Sequence, residues 1–193
     1  MPTFSPLICA LALPARALLI VPLVGILPLA AQAATTCVHD VALVFTESAP
    51  RDRFEVINDS SPGQRVQRLT LDLAGSAGRL IFDTVEGGPG INVFQPFRVE
   101  LGEARLSKTP VVPDGSDRLE LAFTRFESGQ RFVFSIDVDD RLTASDLGQI
   151  RVSGPEMAGA LLSVVVGPTG GAGREAQARV DGSNRAQVQA ACP

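Results

Sequence analysis

The chain has 193 residues, with 17 Lys and Arg against 21 Asp and Glu, a formal net charge of −4, and neither Trp nor Tyr. The basic residues form no cluster, which argues against nucleic acid and anionic membrane surfaces as partners. The missing Trp and Tyr remove the usual platforms for stacking sugars and deplete the residues that dominate interface hot spots.

The N-terminal stretch reads as a leader. Residues 1–33 carry one basic residue (Arg16), no acidic residue, an apolar run from Ala17 to Ala31, and then Ala31-Gln-Ala33, the small-x-small pattern of a signal peptidase site. Pro22 and Pro28 interrupt a run already shorter than the roughly 20 apolar residues that span a bilayer, so no transmembrane segment is expected after cleavage. Thr36 ahead of Cys37 does not fit lipid attachment. Cleavage after Ala33 leaves residues 34–193 as one expected domain, with net charge −5 once Arg16 is lost, in the periplasm or outside the cell. The two mature cysteines, Cys37 and Cys192, sit at opposite ends of that domain, and in an exported protein they are expected to form a disulfide joining the terminal strands.

Beyond the leader, residues 41–45 are apolar on both faces, as in a central strand. Residues 53–58 resume as a strand and stop at a cluster of turn formers; 69–73 alternate, 74–78 turn, 80–83 form a short strand, and 86–90 are loop. Pro96 places 91–101 at a sheet edge. A loop at 108–117 leads into the alternating residues 119–123. Phe132, Phe134, Ile136 and Val138 then share one face of a strand, with Val133, Ser135, Asp137 and Asp139 on the other. A helical turn is expected over 143–147, strands over 149–153 and 160–166, and a closing hairpin around 181–184. No long segment has helical periodicity, so the expected class is all-β, an antiparallel β-sandwich of Ig-like or jelly-roll type, with a closed barrel as the alternative.

Catalytic patterns are incomplete. Residues 74–78 approximate a nucleophile elbow around Ser76, but the one histidine, His39, precedes it, and the fold lacks the required helices. The pattern reads as a small-residue loop, and the protein as a non-enzyme. One histidine cannot build a zinc site, and His39 is read as a surface residue. The glycine-rich stretch 167–173 lacks the residues of a phosphate loop. Asn58-Asp-Ser60 matches the short pattern of N-glycosylation.

The remaining constellation is Asp137, Asp139 and Asp140. Carboxylates running off a strand into a loop suit Ca²⁺, which takes six to eight oxygen ligands. Asp83, Glu86, Asp114 and Asp117 are further potential donors. The competing reading is a solvated acidic face that blocks edge pairing.

Several segments together resemble bacterial exported proteins known as aggregation factor core proteins: Phe45-Thr-Glu-Ser-Ala-Pro-Arg-Asp-Arg-Phe54, Leu71-Asp-Leu-Ala-Gly-Ser-Ala-Gly78, Leu80-Ile-Phe-Asp83, Val93-Phe-Gln-Pro-Phe97, Phe134-Ser-Ile-Asp-Val-Asp-Asp140 and Val152-Ser-Gly-Pro-Glu-Met-Ala-Gly-Ala160. The resemblance spans nearly the whole mature chain and rests on the order and spacing of these segments. It implies kinship with a protein of calcium-dependent cell adhesion and assigns no individual residues. The expected function is a secreted, non-catalytic adhesion or surface-interaction domain with a protein or glycan partner at the cell surface, Ca²⁺ serving as a stabilising ion. The alternative is a Ca²⁺-dependent carbohydrate-binding domain.

Overall fold

Alternation of apolar and polar residues produces twelve strands and one short helix among the described residues. The structure, a computed structural model, describes residues 36–48, 51–91, 93–142, 149 and 151–192. The expected leader, Asn92 and the helical turn expected at 143–147 lie outside the described residues. The strands are β1 (Val38–Thr46), β2 (Arg53–Asn58), β3 (Gln64–Asp72), β4 (Ile81–Asp83), β5 (Arg98–Gly102), β6 (Arg105–Leu106), β7 (Arg118–Arg125), β8 (Arg131–Ser135), β9 (Asp137–Asp139), β10 (Leu161–Pro168), β11 (Arg174–Arg179) and β12 (Arg185–Ala191), with helix α1 at Gly154–Met157. Among the described residues no helix is long and apolar enough to cross a membrane.

Two five-stranded sheets, in the orders β12-β1-β2-β8-β5 and β11-β10-β3-β7-β6, pack face to face, and a third sheet of two strands pairs β4 with β9. All pairings are antiparallel. The architecture is an all-β sandwich. β1 lies inside its sheet and β5 at the edge, as the doubly apolar run and Pro96 predict.

Inward-facing residues of both sheets meet in one core, including Val41, Leu43, Phe54, Val56, Leu69, Leu71, Leu121, Phe132, Phe134, Leu162 and Val164. Aromatic side chains continue across neighbouring strands. Phe45 is paired with Phe54 and Phe54 with Phe134, their ring centroids 5.2 and 5.0 Å apart. Cross-strand aromatic pairs of this kind add to what their burial alone contributes. Cys37 and Cys192 are bonded, with Cα atoms 5.3 Å apart, one step beyond the paired residues Val38 and Ala191. The bridge therefore clamps the first strand to the last.

Several local expectations are corrected. The closing hairpin is not one ladder: β11 pairs with β10 in one sheet, while β12 pairs with β1 in the other, so the turn at 181–184 carries the chain between sheets. Of the strand expected at 149–153, the described residues form none; Ser153 instead caps α1, its main-chain N–H and Oγ donating to Glu156 Oε2 at 2.6 and 2.7 Å. This is a capping box with Pro155 in the first turn, a pattern present in the sequence.

His39 is buried, with its Nε2 3.1 Å from Gln64 Oε1, because it shares the inward parity of Val41, Leu43 and Phe45. Asn58 is also buried. Its Nδ2 donates to the Phe126 carbonyl and its Oδ1 accepts from Ser60 N–H, so in the folded chain it is no glycan acceptor.

Candidate functional site

The long strand expected through 132–139 divides at Ile136, whose N–H donates to the Asp52 carbonyl at 3.1 Å. Its first part, β8, stays in the large sheet between β2 and β5, and its second, β9, leaves to pair with β4. In that pairing Asp83 faces Asp137, Ile81 faces Asp139, and Phe82 faces Val138. Opposed residues of an antiparallel pair share a face. Phe82 and Val138 enter the core, and Asp83, Asp137 and Asp139 are gathered on the opposite face.

That face is not solvated. Asp83, Asp137 and Asp140 are each 2% exposed and Asp139 is 1% exposed, which removes the reading of a solvated acidic strand end. The cover comes from the loop after β4. Ile91 N–H donates to Asp139 Oδ2 at 2.6 Å, Gln95 N–H to the Asp83 carbonyl, and Asp137 N–H to the Gln95 carbonyl, both at 3.1 Å. Glycine is required where this loop descends: a Cβ on Gly90 would collide with the Asp83 carboxyl, and one on Gly88 with that of Asp114.

Asp114 adjoins Asp83 at the end of β4. Its Oδ1 accepts from the N–H groups of Thr84 and Val85 at 2.7 and 3.2 Å. Asp52, ahead of β2, accepts from Val138 N–H at 3.1 Å and Ser48 N–H at 3.3 Å. Asp140 lies past the end of β9 and spends its Oδ1 on Leu142 N–H at 2.8 Å.

Among the described residues the salt bridges join Arg51 to Glu100, Arg68 to Glu120, Arg118 to Asp72 and Arg131 to Glu55. None reaches this cluster. Nine buried side-chain polar atoms among the described residues have no hydrogen-bond partner, and six of them belong here: Asp83 Oδ1, Gln95 Oε1, Asp114 Oδ2, Asp137 Oδ2, Asp139 Oδ1 and Asp140 Oδ2. All six are oxygens that accept and cannot donate when the carboxyls are ionised. Leaving such atoms unpaired in an interior is costly, so the arrangement calls for protons or a cation.

The acidities reflect this shortage of donors. Burial pushes Asp137 up to about 8, with the negative charges of Asp139, Asp52 and Asp83 adding to it. Burial likewise raises Asp52 to about 7 against the main-chain bonds from Ser48 and Val138. Asp139 rises to about 6, burial outweighing the Ile91 bond. Asp83 is raised by burial and by the carboxylate of Asp114. For Asp114 burial acts upward, but its hydrogen bonds from Thr84, Val85 and Asp83 prevail and hold it below the usual carboxylate value.

Comparison with family models, curated proteins and solved structures finds no match. The site is therefore read from its own atoms. Among the described residues no group of three or more His, Cys, Asp or Glu side chains is placed to hold a metal ion. The donors nonetheless fit one chemical class, since all are hard oxygens and neither His nor Cys takes part.

Of the residues singled out in the sequence, Asp137 and Asp139 share the site, and Asp140 adjoins it. Asp83 and Asp114 join from outside that segment, whereas Glu86 and Asp117 are exposed. Asp52 and Gln95 carry no sequence signal. Each enters through main-chain pairing that only the fold supplies. Ser76, the residue of the incomplete elbow, is buried, its Oγ accepting from Leu80 N–H at 2.9 Å.

Proposed function

We propose that this is an exported, non-catalytic adhesion or surface-interaction domain that meets a protein partner through the loops at one end of its sandwich. Ca²⁺ at the acidic end of β9, around Asp137, Asp139 and Asp140, stabilises those loops. One observation carries the reading. The segment from Thr84 to Phe97 turns its main chain inward to the buried carboxylates while Val85, Val93 and Phe94 remain exposed. Val111, 92% exposed, belongs to the same surface, where Val85, Pro96, Phe97, Pro110 and Val111 line a groove of about 300 Å³. Exposed apolar side chains collected on loops suit a protein surface better than a sugar. The leader, the disulfide and the resemblance to aggregation factor core proteins support an extracytoplasmic setting.

Direct Ca²⁺-mediated sugar binding requires open coordination positions, and carboxylates 1–2% exposed offer few. The test is binding of the purified protein to intact cells of its source and to a glycan array, each with calcium and with EGTA. The reading predicts calcium-dependent cell binding that Phe94→Ser with Val111→Ser reduces at least tenfold, with no glycan signal. A calcium-dependent glycan signal left unchanged by these substitutions would favour the lectin reading instead.

A further inference from the structure

The donor atoms of the buried acidic face extend beyond β9, and their distribution defines a site more closely than the aspartates of one strand can. Asp83 stands opposite Asp137 across the β4–β9 pair, two residues from the register position of Asp139. Directly opposed like charges destabilise a strand pair unless something neutralises them. Here each of the three carboxyls keeps one buried oxygen without a partner: Oδ1 of Asp83, Oδ2 of Asp137 and Oδ1 of Asp139. The other oxygen of Asp139 is fixed by Ile91 N–H, which leaves the carboxyl little freedom to turn away.

The surroundings hold these groups in place without neutralising them. Gly88 and Gly90 bring the covering loop so close to Asp114 and Asp83 that no larger residue fits. Gln95 bridges Asp83 and Asp137 through its main chain and contributes a further buried, unpartnered oxygen, Oε1. Asp52 fixes Val138 N–H, between the two β9 aspartates, and so acts as a positioning residue for both.

We propose that the face shared by β4 and β9 is an interior Ca²⁺ site, with Asp83, Asp137 and Asp139 as carboxylate ligands and the loop residues Gly88, Gly90, Ile91 and Gln95 as its cover. Asp114 lies on the margin, its Oδ1 committed to the main chain after β4. Oxygen-only donors from a strand pair and an irregular loop suit the variable shell of Ca²⁺. Mg²⁺ demands near-octahedral geometry and gives up its waters reluctantly. The inference deepens the functional reading above, resting on it for the presence of calcium but not for the partner, so calcium binding and cell binding can fail separately.

Calorimetric titration of the purified exported protein with CaCl₂ and with MgCl₂ is the test. One calcium should bind per chain, at least tenfold tighter than magnesium. Asp83→Asn and Asp139→Asn should each weaken calcium binding at least tenfold, whereas Asp72→Asn, on an exposed ion pair with Arg118, should leave it unchanged. The wild-type titration does not depend on any variant folding, and no calcium binding at millimolar concentration overturns the site. Magnesium binding as tightly as calcium, or wild-type affinity in Asp83→Asn, overturns the ion or its ligand set.

Discussion

At the scale of single residues, the carboxyls of Asp52, Asp137 and Asp139 reverse the usual relation between pH and stability. Their folded values, about 7, 8 and 6, lie above the ordinary 3.8, so without a cation the folded chain holds protons that the unfolded chain has released. Stability from such groups is complete below the unfolded value and is lost as pH rises through the folded ones. In EGTA the melting temperature should therefore fall between about pH 5 and pH 8, and saturating calcium should flatten the decline. Glu47, Asp83 and Asp140 are the other acidic groups acting on these three, and their charges reinforce the trend. A cation-free melting temperature that climbs over the same interval would contradict this account of the cluster.

At the scale of elements, the period-2 pattern was sufficient wherever a strand keeps one neighbour on each side. Residues 53–58 and 119–123 fall on β2 and β7, where one face is buried, whereas 69–73 caught only the end of β3, which begins at Gln64 and stops at Asp72. The pattern missed where a strand changes sheets. Nothing local marks Ile136 as the point where β8 becomes β9; the division follows from Asp52 and β4 arriving from elsewhere in the chain. Burial of Asp137 and Asp139 was hidden for the same reason, since alternation distinguishes the two faces of a strand but does not show that a distant loop covers the polar one. The short helix was legible from Ser153 and Glu156, yet Val152, buried in the core, made the segment look like a strand.

Phe134 tests the packing that holds β8 in its sheet. Its ring centroid lies 5.0 Å from that of Phe54, 5.3 Å from Phe97 and 5.9 Å from Phe132, and it is wholly buried. Phe134→Ala should cost about 3–5 kcal/mol in urea unfolding, through lost burial and the cavity left behind. A cost near 1 kcal/mol would mean that the neighbouring rings collapse into the gap.

At the scale of the whole molecule, the disulfide secures the sandwich at the outer ends of its first and last strands. The disulfide joins cysteines 155 residues apart at the ends of β1 and β12, a closure that the sequence suggested from cysteine positions alone. Constraint of the unfolded chain over so long a loop is worth at most about 5 kcal/mol, so unfolding in urea with reductant should shift to lower concentration without change in the folded far-UV spectrum. Identical unfolding curves with and without reductant would contradict that role.

A second device is the cation proposed for the β4–β9 sheet, where unpartnered acceptors collect. Its most direct measurement is the thermal melt of the wild-type protein at pH 7.5 in calcium and in EGTA. A ligand that binds only the folded chain adds about 2.7 kcal/mol at a hundredfold excess over Kd, which for a domain of this size raises the melting temperature by about 8 °C. The account predicts such a rise with calcium and a smaller one with magnesium. Superimposable curves in calcium and EGTA would contradict it, leaving the buried aspartates to be neutralised by protons alone.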